Sequence, residues 1–305
     1  MIYSQAREAP LMSDLTYKKR FGDRRDGRRI RSMPAINNIM AYIMPKKYDA
    51  CNFFTDRLEI SDVERWLKEK RSEGYKGIGM LHVFIASYVR TVAHCPKLNR
   101  FIAGQKVYAA NQIQVVMTVK RAMNAEAPET AIKVTFEPTD TIFDVYRKFN
   151  EKIDEIKAND GDNNTEQAAS LLMKVPGLFL RFAVWLLRGM DYFDLLPQSL
   201  INASPFHGSM IITDLGSLGI PPIYHHIYDF GTLPLFIAFG AKFRSVELDK
   251  SGEPVERKYI EYKAVMDERT IDGMSYAIAF KYLKYYLRNP AALELPPAEV
   301  KEDIP

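Results

Sequence analysis

Only two cysteines, Cys51 and Cys95, occur in 305 residues. They form neither a disulfide framework nor a ligand-like cluster, so the expectation is two structural thiols in a reducing cytoplasm. The N-terminus carries no charged-then-apolar leader. No uncharged apolar run reaches the roughly 18 residues that a membrane-spanning helix needs. Glycine offers no phosphate cradle either: Gly208, Gly216, Gly219 and Gly231 do not make a strand-to-helix G-x-G-x-x-G unit. A P-loop, a zinc-ligand set and a nucleophile elbow are also lacking, so no metal is expected. An excess of one charge is missing too, and the net charge of +4 is no reason in itself to expect nucleic acid or membrane.

What is present is apolar material for a sizeable core, 47% of residues with 26% charged, which indicates one large soluble domain. Residues 1–28 read as an N-terminal arm. Between Lys18 and Arg31, at its end and just past it, Lys18, Lys19, Arg20, Arg24, Arg25, Arg28, Arg29 and Arg31 crowd around Asp23 and Asp26. No aromatics interleave to stack on bases, so a solvated arm or a subunit contact with internal ion pairs is expected, and nucleic acid is not.

From Ala50 to Ile60 the chain reads as extended, and Ser61-Asp-Val-Glu64 reads as a capping box opening a helix that turns Val63, Trp66 and Leu67 inward. Met80 to His94 is apolar all round, a buried helix stopped by Pro96, with His82 and His94 as packed histidines. Ile113, Val115, Met117 and Val119 alternate with polar residues, as do Ile132, Val134 and Phe136, giving two strands. Asp140 or Thr141 caps a helix bearing Ile142, Val145, Phe149, Ile153 and Ile156 on one face, and Asn159–Asn164 is a loop. Strands at Leu235–Gly240 and Lys258–Met266 flank a charged, hairpin-like stretch, Arg244–Arg257. A last helix then runs from about Met274 to Leu287. This order predicts an α/β fold around a mixed sheet. The acidic tail after Pro290 is expected to be loosely held.

Residues 167–196 are the most apolar stretch, with Lys174, Arg181 and Arg188 spaced seven apart and a break at Pro176-Gly177. Packing against the core or a neighbouring subunit is the ordinary expectation for such helices. A peripheral membrane contact or a lipid-like acyl pocket also fits.

Two segments carry chemistry. Val265-Met-Asp-Glu-Arg-Thr-Ile-Asp-Gly-Met274 and Gly208-Ser-Met-Ile-Ile-Thr-Asp-Leu-Gly216 resemble the active-site segments of the chloramphenicol acetyltransferase and dihydrolipoyl acyltransferase superfamily, which read His-x-x-x-Asp-Gly and Ser-Asn-Leu-Gly or similar. The resemblance covers roughly Arg29 to Pro290, with Cys51-Asn-Phe-Phe, His94-Cys-Pro-Lys-Leu-Asn99 and Phe136-Glu-Pro-Thr-Asp-Thr-Ile-Phe143 in matching order. It implies a two-layer α/β domain over 29–290, a homotrimer with active sites between subunits, and coenzyme A or acyl-CoA as substrate. With no lipoyl module or subunit-binding linker ahead of the domain in this sequence, a standalone enzyme is expected.

One residue departs from that pattern: Glu268 stands where the family has its catalytic histidine. Thr213 stands at the family's hydroxyl position, and a hydroxyl there steadies the tetrahedral oxyanion. By the same resemblance Asp272 and Gly273 are structural, with Arg29 or Arg31 as the arginine that Asp272 holds. A glutamate is ordinarily a poorer proton acceptor than an imidazole by about 2 pK units. Burial in an apolar pocket and the like charge of Asp267 would make it a better one. His225 or His226, just after the Leu-Gly turn, is the alternative base, and a solvated or subunit-contact histidine pair is the plainer reading. Two functions follow: an acyl-CoA-dependent acyltransferase, or a catalytically weak relative that serves as a binding or assembly scaffold.

Overall fold

The computed structural model describes residues 17–120, 129–158 and 174–303. The described elements, in chain order, are β1 (Gly27–Arg29), α1 (Ala35–Ile43), β2 (Cys51–Glu59), α2 (Ser61–Ser72), α3 (Met80–His94), β3 (Arg100–Ala103), β4 (Lys106–Ala110), β5 (Ile113–Lys120), β6 (Glu129–Phe136), α4 (Ile142–Ala158), α5 (Gly177–Tyr192), α6 (Gln198–Ala203), β7 (Met210–Asp214), β8 (Leu235–Leu248), β9 (Pro254–Asp267) and α7 (Gly273–Arg288). The Asn159–Asn164 loop, the side chain of Ile156 and the first part of the apolar 167–196 stretch lie outside the described residues.

Six strands form one mixed sheet in the order β2-β9-β8-β7-β5-β6, with β7 parallel to both β5 and β8 and the other pairs antiparallel. Strand side chains alternate between faces. Ile113 and Val115, Met210 and Ile212, Leu235 and Ile237, and Tyr262 and Ala264 therefore all point to one face, where they are buried with Phe84, Tyr88, Phe149, Phe280 and Leu283 of the covering helices. Phe84 of α3 stacks on Phe239 at 4.6 Å between ring centroids. Helix α3 is sandwiched between the sheet and its fellow helices, which is why its apolar residues run all round it. His82 is buried among Tyr146 and Phe149 and accepts the Gly79 N–H, and His94 meets the Tyr286 hydroxyl at 2.8 Å. Both are packed histidines, as expected.

The other face carries Phe53, Thr55, Lys263, Val265, Phe236, Ala238, Ile211, Thr213, Gln114 and Val116; among the described residues it is helix-free over β2, β9, β8 and β7, while the short α6 reaches its β5–β6 end, where Lys133 Nζ donates to the Ile201 carbonyl at 2.8 Å. Parallel strands need a crossover connection. Between β7 and β8 that connection is the irregular chain 215–234, containing only a 3₁₀ turn at Gly216–Leu218. It runs over the helix-free face.

Four expectations need correction. The capping box at Ser61 does not form: Ile60 is the N-cap, the Ser61 N–H donates to Glu59, and Glu64 instead takes Lys242 and Lys258 across to the sheet. The box forms at Thr141, whose Oγ1 accepts the Asp144 N–H while Asp144 accepts the Thr141 N–H. The charged stretch 244–257 is a hairpin as expected, but β8 and β9 run on through it instead of ending at Gly240 and Lys258, and its Arg244–Glu256 pair lies in solvent. The basic arm is partly structural: β1 pairs with β4 in a second sheet ordered β1-β4-β3, and Arg24 is buried. The tail is pinned, because buried Arg100 grips Asp303 with two hydrogen bonds of 2.6 Å and the Lys301 N–H donates to the Ala93 carbonyl.

Candidate active site

Thr213 lies on β7 with its side chain half-buried on the helix-free face. Just past it, Asp214 accepts the Ser217 N–H at 2.9 Å, and the Ser217 hydroxyl donates to the Asp214 carbonyl at 2.8 Å. Burial lifts the Asp214 carboxyl above its ordinary range against the pull of the Ser217 and Gly216 amides. A Cβ on Gly216 would come 2.6 Å from the Gly240 carbonyl oxygen, and one on Gly240 would come 2.3 Å from Pro222. The turn after β7, the bulge in β8 and the start of the crossover are thus stacked without room for a side chain.

The crossover is tied at both ends. Its start is held by the Ala241 N–H, which donates to the Ile220 carbonyl at 2.9 Å. Its end is held by Lys47, whose Nζ donates to the carbonyls of Gly231 (2.7 Å) and Leu233 (3.1 Å) and whose N–H donates to Asp229. Burial pushes the Lys47 ammonium down to about 8, partly offset by Asp267.

Between these ties, His225 lies flat on Phe236, with 4.3 Å between ring centroids and 7° between planes. Tyr224 meets Phe53 edge-on, and Lys263 Nζ sits 4.9 Å over the Tyr224 ring. Buried His225 Nε2 has no hydrogen-bond partner among the described residues. Burial, with His226 as a lesser cause, lowers the His225 imidazole below its ordinary value, so it is neutral at pH 7. His226 points away into solvent against Tyr228. Phe236 pairs with Ile211, which puts Thr213 one strand across and two residues along from Phe236, a Cα separation of about 8 Å. His225 and Thr213 therefore share one face.

Glu268 does not join them within the chain. Thr213 pairs with Ala238, and Ala238 with Lys263. Glu268 is then two strands over and five residues along, about 19 Å away. Its N–H donates to the Ala50 carbonyl at 2.9 Å, and its side chain is exposed. Asp267 and Arg269 on either side are buried and joined at 2.8 and 2.6 Å, and Arg269 also donates to the Met44 carbonyl. Among the described residues no apolar pocket encloses Glu268, and the Asp267 charge is already paired with Arg269.

Asp272 caps α7, accepting the Ser275 N–H (2.9 Å) and hydroxyl (2.6 Å), with Lys97 at 3.1 Å and Gly273 as the first helical residue. The Ser275 contacts first, and then Lys97, hold its carboxyl well below the usual carboxylate range. The expected arginine partner is a correction. The Arg29 N–H and the Arg31 guanidinium both go to Asp23, in the turn ahead of β1, while Lys97 lies beside the start of α7.

One buried network was not foreseen. His207 Nδ1 meets Ser204 Oγ at 2.8 Å, its Nε2 lies 3.4 Å from Asp191 Oδ2, and Asp191 Oδ1 accepts Arg24 Nη2 at 2.9 Å. Burial opposes ionisation of Asp191, but His207 and Arg24 outweigh it and hold the carboxyl below its ordinary value. Ser204 also accepts the Phe206 N–H and is itself buried. The network therefore serves as a brace for the approach to β7, with no exposed nucleophile. Arg24 and Asp191 stand 167 residues apart, and no local pattern announces such a pair. His207 and Arg24 also line a recess of about 680 Å³, together with Lys19, Arg25, Arg28 and Gln114. Among the described residues no group of acids, histidines and cysteines is placed to hold a metal.

A mixed sheet with helices on one face and a crossover on the other is a fold that this chain shares with solved acyltransferase cores. A probable dihydrolipoamide acetyltransferase from Listeria monocytogenes is 12% identical with a TM-score of 0.53, over 86% of this chain and 94% of that one. The truncated catalytic core of the 2-oxoacid dehydrogenase multienzyme complex from Thermoplasma acidophilum is 13% identical with a TM-score of 0.50, over 86% and 99%. The cubic core of a pyruvate dehydrogenase multienzyme complex gives 12% and 0.50, over 87% and 94%. At these identities the likeness is one of fold. No family model and no curated protein matches the chain.

Proposed function

We propose that this chain is a standalone coenzyme-A-dependent acyltransferase, passing an acyl group to a hydroxyl or thiol acceptor at the helix-free face of its sheet. The observation that supports it most is the pairing on that face of a half-buried threonine hydroxyl with a neutral imidazole whose Nε2 is free. In this reading Thr213 donates to the oxyanion of the tetrahedral intermediate, and His225 takes the acceptor proton as that intermediate forms. The imidazole then reaches the site from the crossover, not from the position where Glu268 stands. Lys19, Arg25 and Arg28 around the recess suit the phosphates of coenzyme A. From Ser209 at the recess to Thr213 is four residues of strand, about 13 Å, within the span of a pantetheine arm.

A homotrimer belongs to the proposal. Exposed Phe53, Ile223 and Tyr224 on the helix-free face would be covered by another copy, and only another copy could bring Glu268 near Thr213. Cys51 and Cys95 are free thiols, which supports a cytoplasmic setting. A second reading, a scaffold without activity, draws on the exposed Glu268 in the family's histidine position.

Thiol release from acyl-CoA donors of short to long chain, with pooled hydroxyl, amine and dihydrolipoyl acceptors, tests the first reading. Acceptor-dependent release that falls roughly 10²-fold in Thr213→Ala is the expected result. No release, together with no coenzyme A binding by calorimetry, would establish the scaffold.

A further inference from the structure

Helix α5 is the part of the fold that this reading leaves without a role. It buries only Asp191. At about 100° per residue, Leu178, Phe179, Phe182, Trp185 and Leu186 project over one arc of roughly 120°. That arc faces solvent: Trp185 is 67% exposed and Phe182 59%. Leu180, Ala183, Leu187 and Asp191 occupy the opposite side, toward the body of the protein. Of the expectation that this segment packs against the core or a neighbouring subunit, the core half is thereby corrected for the arc of α5.

Cations border the apolar arc. Arg181 and Arg188 follow Trp185 around the helix on one flank, and exposed Lys174 stands just before the first turn. The last turn of the helix is bolted to the basic arm: Arg24 donates to the Asp191 carbonyl at 2.5 Å and to its carboxylate, and Arg25 Nη1 donates to the Leu196 carbonyl at 3.0 Å. The arm in turn exposes Lys18, Lys19, Arg20 and, at the tip of a turn, a fully exposed Phe21. The one acid within α5, Asp191, is buried and already paired.

From this we infer that α5, with the tip of the basic arm, docks on an anionic phospholipid surface. An apolar arc rich in Phe and Trp, flanked by arginines, matches the acyl–headgroup boundary: rings enter the boundary while guanidinium groups remain at the phosphates. No described helix is long and apolar enough to cross a membrane, so α5 lies in the plane of the surface. A protein partner would have to cover the same aromatic arc and also supply acids for Lys174, Arg181 and Arg188. An anionic bilayer meets both demands at once.

The test is flotation of the full chain with vesicles of equimolar phosphatidylcholine and phosphatidylglycerol, beside vesicles of phosphatidylcholine alone. The expected result is binding to the anionic vesicles, weakened by salt, with a blue shift of Trp185 emission. Phe182→Ser should weaken binding roughly tenfold by removing one buried ring. Arg181→Gln should weaken it about fivefold, and only on the anionic vesicles. Because Phe182 and Arg181 are exposed, both variants should keep the wild-type melting temperature. Absence of flotation overturns the inference, as does flotation unaffected by either substitution. A change of oligomeric size in Phe182→Ser without any vesicle binding would assign the face to a second copy instead, and would also overturn it.

Discussion

Glu268 stands between two residues that are fully engaged with each other. The Asp267–Arg269 pair is buried and bidentate and is tied to α1 through the Met44 carbonyl, so the turn is rigid while the one side chain at the expected catalytic position faces solvent. His225 shows the reverse: a loop residue by sequence, it is held flat on Phe236 with a buried nitrogen left free. Another histidine offers a test of burial itself. Burial lowers His82 to about 4, so it is neutral in the folded protein while its unfolded counterpart titrates near 6.5. The unfolded chain then binds more protons between those values, and stability must fall as pH drops through that window, by roughly 3 kcal/mol in all. Urea unfolding at neutral pH and at about pH 4.5 should show this loss, and His82→Gln should flatten it. An unchanged slope in the variant would deny His82 the role. The sequence placed His82 on a buried helix, but that the His225 imidazole lies on Phe236, on the same face as Thr213, depends on contacts made across the sheet.

At the scale of elements, what matters for the site is that a crossover with almost no helix lies on the helix-free face. Strand alternation at 113–119 and 132–136 was readable because one face is buried and the period is two. Where both strands of β8 and β9 run into solvent the alternation fades, and charged residues there look like a connection when they are ladder. The capping box at Ser61 failed for a similar reason: Glu64 found two lysines of the sheet, a tertiary pairing that outcompetes the local one. Gly240 tests the locking of the crossover. A methyl group there would meet Pro222 at 2.3 Å, so Gly240→Ala should cost about 1–3 kcal/mol in thermal unfolding. It should also lower acyl transfer, since His225 would shift with the loop. Wild-type stability and turnover in this variant would show that the stacking does not hold His225 in place.

For the molecule as a whole, the two-layer architecture was legible from the order of periodic segments and from two short motifs, and the solved structures share that fold. Less legible were the long-range ion pairs that close it. Arg100–Asp303 pins the tail, and Arg24–Asp191 joins the arm to α5, across 203 and 167 residues. Pairs at such separations leave no pattern along the chain. The same two-sidedness underlies the proposed function: one face of the sheet is sealed by helices, and the other carries Thr213, with His225 laid against it and a recess lined by Lys19, Arg25 and Arg28 at the start of β7. Thiol release from acyl-CoA should therefore be compared side by side in the wild type, His225→Gln and Glu268→Gln. A loss of about 10²-fold or more is expected in His225→Gln, the usual worth of a general base, with Glu268→Gln within a few-fold of wild type. Full activity in His225→Gln, or its abolition in Glu268→Gln alone, would contradict the role of His225 as the base.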